Sequence, residues 1–331
     1  MTYFLAGDLG GTKTLLALYQ ATVGGYQLLA EERFASHEFA DFGEIISEFL
    51  AQRTVVPTVA AFGVAGPVLE GRARITNLGW TIDRAMLREQ FRFRRVELMN
   101  DLVAIAHAVP ALTGNELFPV NEGCLDPQGT IGVIAPGTGL GEAYLCWDGS
   151  RYHAYPSEGG HADFAPTTDE ELGLFQFLRQ RLAHVSYEQV CSGMGIANIY
   201  RYCTEGLGMA VADAVATTLA EGGDPTPVIV SHALAGDCPV CVKTIDFFVD
   251  ILAAEAGNLA VKFLATGGVY LGGGLPPRLI DAIPVEAFMA RFAGKGRMAA
   301  LLTDIPVYII QCSGAALTGA ARVGARLARQ G

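Results

Sequence analysis

Two segments of this chain run from an apolar stretch through a glycine-rich turn and straight back into an apolar stretch. The first is Gly7-Asp-Leu-Gly-Gly-Thr-Lys-Thr14, followed by the strand-like run Thr14–Tyr19. A Walker A loop or a dinucleotide fingerprint needs a different glycine spacing and a helix after the turn. The pattern therefore predicts a β-hairpin whose glycines allow a ligand to approach the backbone closely.

The second segment, Gly132 to Leu145, repeats this layout and has Gly137, Thr138 and Gly139 in its turn. Two such hairpins suggest a duplicated fold in which each half offers one turn to a shared cleft. Exposed amides and hydroxyls of opposed turns could clamp a polyphosphate. Asp8 would then lie beside the phosphates, where a carboxylate makes sense only with a divalent cation. The alternative is two ordinary hairpin turns.

A third glycine cluster, Gly272-Gly273-Gly274, follows the strand-like residues Val269–Leu271. Glycines at the carboxyl end of a strand leave space for a flat ligand, in the crevice where open α/β sheets bind theirs. The prolines at 276 and 277 suit the start of a helix. The alternative is a tight strand-to-helix turn without a ligand.

Apolar runs alternate with helical patterns along the whole chain, which favours the α/β class. The 331 residues exceed the size of one hydrophobic core, so two lobes are expected. The predicted strands are Tyr3–Ala6, Thr14–Tyr19, Thr58–Val64, Val96–Met99, Thr130–Ile134, Ala143–Trp147, Ala265–Leu271 and Val307–Ile310. The predicted helices are Gly43–Gln52, Asp83–Gln90, Leu102–Val109, Asp169–Arg181, Cys241–Phe263 and Gly314–Arg329, and residues 187–237 are expected to be mainly helical.

Composition excludes several classes of protein. The formal net charge is −11, which argues against nucleic-acid binding. Seven scattered cysteines are typical of a reducing cytoplasm, and Cys238-Pro-Val-Cys241 supplies only half of a tetrahedral zinc site, so we expect a structural role for it. We expect no signal peptide and no membrane segment.

Two further groups of polar residues could carry chemistry. Asp101 follows the predicted strand Val96–Met99 and precedes a helix, so its carboxylate would be presented at a strand end; alternatively, it is simply a helix N-cap. Glu158-Gly-Gly-His161 pairs a carboxylate with an imidazole, a combination suited to vicinal sugar hydroxyls. Glu-x-x-His also occurs in metal sites of helical bundles, but two adjacent glycines argue against a helix here.

Taken in order, the three glycine segments resemble the phosphate-1, phosphate-2 and adenosine motifs of the actin-like ATPase superfamily, which includes the hexokinases. Five other stretches resemble the bacterial glucokinase family, typified by the enterobacterial enzyme: Gly63-Val-Ala-Gly-Pro67, Thr76-Asn-Leu-Gly-Trp80, Leu98-Met-Asn-Asp101, residues 157–166 and residues 185–193. The cysteine-rich zinc motif of the repressor/open-reading-frame/kinase sugar kinases is missing from the sequence. The resemblance spans most of the chain.

The resemblance implies a two-lobed actin-like ATPase (ribonuclease H-like) fold, each lobe a mixed sheet with flanking helices. The small N-terminal lobe would comprise residues 1–110, completed by a C-terminal helix at 314–331, and the large lobe residues 111–313. The active site would lie in the cleft between them.

The resemblance also implies an activity, namely transfer of the γ-phosphoryl of MgATP to the 6-hydroxyl of glucose, with Asp101 as the general base. Glucose would be bound by Asn100, Asp101, Glu158, His161 and Glu188. ATP would be bound by Gly7, Asp8, Leu9, Gly10, Gly11, Thr12, Gly137, Thr138, Gly139, Gly272, Gly273 and Gly274, and Asp8 would reach Mg²⁺ indirectly, through MgATP. A cytoplasmic homodimer is expected.

Two alternatives remain open. The acceptor could be mannose, glucosamine or another hexose, or the donor could be ADP or polyphosphate. A protein of another class, a sugar-sensing regulator, would keep the pocket but lack turnover. Regulators of related families carry an N-terminal helix-turn-helix, and because the first glycine motif begins at Gly7 we expect none here.

Overall fold

The computed structural model of the chain describes residues 2–330 and divides into two compact units. The first unit comprises Met1–Thr113, Tyr152–Pro156 and Cys312–Gly331, and the second comprises Gly114–Arg151 and Ser157–Gln311.

The β-strands of the described residues are β1 (Tyr3–Leu9), β2 (Lys13–Thr22), β3 (Gly25–Ala35), β4 (Val59–Val64), β5 (Val68–Leu69), β6 (Arg72–Ile75), β7 (Trp80–Asp83), β8 (Arg95–Asn100), β9 (Leu117–Asn121), β10 (Ile131–Pro136), β11 (Leu140–Trp147), β12 (Tyr152–Ser157), β13 (Val269–Leu271) and β14 (Val307–Ile310).

The α-helices are α1 (Phe42–Ala51), α2 (Arg84–Phe91), α3 (Asp101–Ala108), α4 (Asp169–Arg179), α5 (Gly193–Arg201), α6 (Asp213–Ala220), α7 (Thr226–Ala235), α8 (Pro239–Phe263), α9 (Val285–Ala293), α10 (Ala299–Thr303) and α11 (Ala315–Arg329). Short 3₁₀ turns connect several of them, and a π-helical turn, Tyr202–Gly206, follows α5.

The main sheet of the first unit has the strand order β3-β2-β1-β4-β8. Strands β1 and β2 form the antiparallel hairpin, whereas β1, β4 and β8 are parallel. Their carboxyl ends are aligned, because Leu9 pairs with Val64 and Val64 pairs with Asn100. This edge is where an open α/β sheet offers side chains to a ligand.

The C-terminal helix belongs to the core of the first unit. One face of α11 buries small residues against β1, where Gly324 lies against the ring of Phe4, and against α3, where Gly319 lies against the carbonyl of Ala104. A Cβ at either glycine would overlap these neighbours, so small residues set the distance between the helix and its partners.

In the second unit, neighbouring strands run in the order β11-β10-β13-β14-β9. Strands β10 and β11 form the second antiparallel hairpin, and β10, β13 and β14 are parallel. A hairpin leading into parallel strands is thus found in both units. The long helix α8 supplies much of the second core, including the fully buried Phe248, Ile251 and Leu252.

Most predicted elements are confirmed, with strand β14 at the predicted bounds. The strand predicted at Ala265–Leu271 begins only at Val269, because Gly268 has a φ of 99° and turns the chain there. The helix expected after Gly274 is a three-residue 3₁₀ turn, Pro276–Arg278. Strands β3, β5, β6, β7, β9 and β12 were not predicted.

Between residues 2 and 330, no single helix combines the length and the apolar composition needed to cross a bilayer. Helices α7 and α8 reach that length and composition only when they are taken together, and the two are bent by 103°.

Candidate functional site

The first glycine turn is a tight loop held by neutral hydrogen bonds. The amide of Gly10 donates to the carbonyl of Lys13 at 3.0 Å and closes the hairpin. Ser36 braces the loop from one side, since its amide donates to the carbonyl of Thr12 and its hydroxyl donates to the carbonyl of Gly10 at 2.9 Å. Gly7 and Leu9 belong to strand β1, and the side chain of Leu9 is fully buried, so only its backbone could meet a ligand.

Asn77 is a neighbour of this turn that the sequence did not single out as a site residue. Its amide group lies so close to Gly11 that a Cβ there would overlap it. Asn77 belongs to a stretch that carries the family resemblance, Thr76-Asn-Leu-Gly-Trp80, and this was the signal that could have identified it.

Two carboxyl groups face each other at the carboxyl edge of the first sheet. Asp8 is the second-last residue of β1 and is half-buried, and Asp101 follows β8 directly. Burial raises the pKa of Asp8 to about 6; the charge of Asp101 adds to this rise, and that of Lys13 opposes it. Burial also raises the pKa of Asp101, while a hydrogen bond from the amide of Leu102 opposes the shift. The structure thus brings two predicted site residues together as a partly desolvated acidic pair.

The cap of helix α3 is Asn100 rather than Asp101. The side chain of Asn100 accepts from the amide of Leu102 at 2.8 Å and donates to the carbonyl of Gly66 at 3.1 Å. Asp101 is the first helical residue, and its own carboxylate also accepts from Leu102 at 2.9 Å. The N-cap alternative is therefore wrong for Asp101, whose carboxylate lies at the positive end of the helix dipole.

The second glycine turn is held by a carboxylate. The amide of Gly137 donates to the carbonyl of Gly139, and the carbonyl of Gly137 accepts from the amide of Gly193 at 2.8 Å. Directly after the turn, the amide of Leu140 donates to Oε2 of Glu188 at 3.0 Å. The same carboxylate is so close to Gly139 that a Cβ there would overlap it.

Glu188 also belongs to a polar cluster with Glu158 and His161. Nδ1 of His161 lies 3.9 Å from Oε1 of Glu188, and Nε2 of the same ring lies 3.9 Å from Oε2 of Glu158. The side chains of Glu158 and His161 are 77% and 61% exposed, so both can meet a ligand. The Gly159–His161 segment forms one 3₁₀ turn, which agrees with the expectation that the glycines exclude an α-helix.

A pocket of about 390 Å³ in the second unit joins two of the three predicted nucleotide motifs. It is lined by Gly137, Thr138, Gly193, Met194, Ala197, Asp224, Pro225, Thr226, Pro227, Gly274, Leu275 and Arg278. The second turn and the third glycine cluster therefore open onto one space of the size that a small molecule needs. Asp224, Thr226 and Arg278 are polar lining residues that sequence reasoning missed, because none of them belongs to one of the three glycine segments.

The described residues contain no cluster of three or more His, Cys, Asp or Glu side chains that could hold a metal ion. Cys238 and Cys241 are buried, and all seven cysteines are free thiols.

Comparison with known proteins assigns the chain to a family. The family model described as glucokinase matches residues 5–327. A glucokinase from Nostoc punctiforme is 38% identical, with 99% of this chain and 100% of the relative covered. A glucokinase from Yersinia pestis is 34% identical, with 96% of this chain and 95% of the relative covered.

A solved structure gives the same result. The crystal structure of a glucokinase from an Antarctic psychrotroph is similar with a TM-score of 0.87 and 32% identity, covering 98% of this chain and 99% of that one. Sequence and structure agree over almost the full length of this chain, and the chain belongs to the glucokinase family.

Proposed function

We propose that this protein transfers the γ-phosphoryl group of MgATP to the 6-hydroxyl of glucose, giving glucose 6-phosphate and ADP. The observation that carries the proposal is the double role of Glu188. Its carboxylate accepts a hydrogen bond from the end of a glycine turn and lies beside the polar cluster of Glu158 and His161. A sugar kinase needs such a junction, because the phosphoryl group and the sugar must be held next to each other.

In the proposed reaction, Asp101 accepts the proton of the O6 hydroxyl as oxygen attacks the γ-phosphorus. The bond between O6 and phosphorus forms, the bond from phosphorus to the β-phosphate oxygen breaks, and ADP leaves with that electron pair. The raised pKa of Asp101 makes its carboxylate a stronger base than an exposed aspartate.

Glu158, His161 and Glu188 are proposed to bind the sugar hydroxyls, with Asn100 as a further contact. Each hydroxyl both donates and accepts a hydrogen bond, which carboxylates and an imidazole can match. The side chain of Asn100 already donates one hydrogen bond to the protein and accepts another, so it is held rigidly. Only its remaining hydrogen-bonding capacity is available to the sugar.

The glycine turns and the pocket are proposed to bind ATP. The amides of residues 10–12 and 137–139 would meet the phosphates, and the pocket beside Gly274 would take the adenosine. Asp8 suits a magnesium ion carried on the phosphates, since that ion keeps several waters and takes one or two carboxylates. When bound, the cation would neutralise charge on the phosphoryl oxygens and lower the pKa of Asp8, which is raised to about 6 by burial and Asp101.

We infer further that each unit has the ribonuclease H-like arrangement of actin-like ATPases. The shared layout of a hairpin followed by parallel strands supports this inference. A cytoplasmic homodimer is also proposed, and the free cysteines fit a reducing compartment. Sedimentation equilibrium of the purified chain tests the dimer.

A coupled assay over a panel of hexoses with ATP, ADP and polyphosphate tests the function. Highest kcat/KM for glucose with ATP is the expected result. Preference for mannose, glucosamine or another donor would replace the substrate assignment, and sugar binding without turnover would favour the regulator.

A further inference from the structure

A buried carboxyl group lies beneath the turn that carries Glu158 and His161. Glu142, on strand β11, is only 2% exposed. Its Oε2 is packed against Gly159 so closely that a Cβ at that glycine would overlap it. Gly159 has no positive φ, so the need for glycine here is one of space rather than of backbone conformation.

A second buried carboxyl group lies close enough to Glu142 for its charge to raise the pKa of Glu142. Glu255, on helix α8, is fully buried, and it accepts from Asn258 at 2.8 Å and from Lys262 at 3.2 Å. Oε1 of Glu142 is buried with no hydrogen-bond partner among residues 2–330. Glu255 thus receives hydrogen bonds from two donors, whereas one carboxyl oxygen of Glu142 receives none.

Two ionised carboxylates cannot share such a site without a large energetic cost. Burial, together with the charge of Glu255, raises the pKa of Glu142 to about 8, and Lys262 opposes the rise. At neutral pH Glu142 therefore keeps its proton, which it can donate to Glu255.

We propose that Glu142 is a positioning residue for the sugar site, and that the proton it shares with Glu255 keeps the turn from Glu158 to His161 in its binding geometry. The inference rests on the proposed function, because it takes those residues to be the sugar ligands.

The same buried pair is also connected to Glu188, the third proposed sugar ligand, through hydrogen bonds. Tyr187 precedes Glu188, and its hydroxyl accepts from Asn258, which also donates to Glu255. Charge appearing on Glu142 would therefore disturb both the Gly159 turn and the segment that carries Glu188.

The contact itself is tested by a pair of substitutions. Gly159→Ala should raise the glucose KM on the order of tenfold with little change in the ATP KM, because its methyl group displaces the turn. Adding Glu142→Ala removes the carboxyl that the methyl meets, so the double variant should bind glucose better than Gly159→Ala alone. Gly314→Ala is the matched control, since a Cβ there meets nothing within 4 Å. If the double variant binds glucose no better than Gly159→Ala does, the contact between Glu142 and Gly159 does not position the turn.

The shared proton is tested by a pH profile. The glucose KM of the wild type should rise as the pH passes about 8, where the pair loses its proton, while the ATP KM stays nearly constant. Lys262 and Lys295 are the cations near the pair, and Tyr187 and Cys191 face it. Burial raises the pKa of both Tyr187 and Cys191, so neither ionises in this range.

Glu142→Gln keeps the size of the side chain and a donor for Glu255 but cannot ionise, so its glucose KM should lose the alkaline rise. Glu286→Gln, an exposed control, should keep it. A wild-type profile without the rise, or a Glu142→Gln profile that retains it, would overturn the inference. If Glu142→Gln does not fold, the wild-type profile and the Gly159 pair decide.

Failure of the proposed function gives a different result. Wild-type protein that does not phosphorylate glucose contradicts the function, whatever the variants do. If the wild type phosphorylates glucose but the Glu142→Gln variant has the same pH profile of the glucose KM, only the role of Glu142 is contradicted and the proposed function stands. Amide hydrogen exchange of residues 158–161, measured on either side of pH 8, reports the movement of the turn without an activity assay. Because exchange is base-catalysed, each rate is divided by the intrinsic rate at its pH. Loss of protection on the alkaline side in the wild type only is expected, and equal protection in the wild type and Glu142→Gln would overturn the inference.

Discussion

The two glycine turns have the same layout but different neighbours. The first is braced by the neutral hydroxyl and amide of Ser36, and its nearby carboxylates, Asp8 and Asp101, have raised pKa values. The second is braced by a carboxylate, that of Glu188, which also belongs to a polar cluster. In the first region two acidic side chains lie beside the turn without bracing it, whereas in the second an acidic side chain links the turn to Glu158 and His161. Under the proposed function, the first region would serve proton transfer and cation binding, and the second would serve sugar binding.

Asp101→Asn should separate these two roles most clearly. The amide keeps the size of the side chain and a hydrogen-bond acceptor but cannot take a proton, so kcat should fall by about 10²–10⁴ while the glucose Kd changes little. Steady-state kinetics and calorimetry measure the two quantities. Asp41→Asn, at the N-cap of α1, is the matched control and should keep full activity. Retention of more than about a tenth of wild-type kcat would show that Asp101 is not the base.

In contrast to Asp101→Asn, Glu188→Gln should raise the glucose Kd and change kcat little. The amide can still accept from Leu140, but it replaces the second carboxylate oxygen with a donor and leaves a sugar hydroxyl mismatched. Such a mismatch costs about 1–3 kcal/mol, or roughly 5- to 150-fold in glucose Kd. Isothermal calorimetry measures it, and an unchanged Kd would remove Glu188 from the sugar site.

Gly137→Ala and Gly139→Ala should sharpen the comparison within one turn. A Cβ at Gly137 meets nothing within 4 Å of the protein, so alanine there should hinder only the nucleotide and raise the ATP KM by about tenfold. A Cβ at Gly139 overlaps Glu188, so alanine there should raise the KM of both substrates. Equal ATP KM values in the wild type and both variants would show that this turn does not bind ATP.

Asp8→Asn should have the smallest effect of these substitutions. It should stabilise the folded protein. A folded-state pKa of about 6 means that ionising Asp8 costs the folded protein free energy, and this cost develops between about pH 4 and about pH 6 and is constant above that range. The asparagine variant should therefore unfold a few degrees higher than the wild type at pH 7.5 and at nearly the same temperature at pH 4, while its activity with MgATP falls. A lower melting temperature at pH 7.5 would contradict the burial of this charge.

The sequence was informative where backbone geometry follows from residue type. Glycine spacing located both turns, and apolar runs located the buried strands, such as Val307–Ile310. Strand β3 escaped prediction because its middle carries Glu31, Glu32 and Arg33, which are polar, and because Leu28 and Leu29 are exposed. Period-two patterning marks a strand only when one face is buried.

The site residues that escaped prediction depend on contacts between distant parts of the chain. Glu142 looks like an ordinary polar residue in the segment Gly141-Glu-Ala-Tyr144. Only the fold shows that its carboxyl is enclosed by Gly159 and faces Glu255. Arg278 was missed for the same reason, since no local pattern predicts its neighbours, whereas Asn77 lies in a stretch that carries the family resemblance.

The position of helix α11 in the chain bears on how the protein is made. The first unit is built almost entirely from residues that leave the ribosome early, yet Phe4 and Ala104 are covered by Gly324 and Gly319 of this late helix. Until those residues emerge, the nascent sheet exposes an apolar face. Strand β1 is thus synthesised long before the helix that covers it, and during synthesis the growing chain presents an apolar surface of the kind that chaperones recognise.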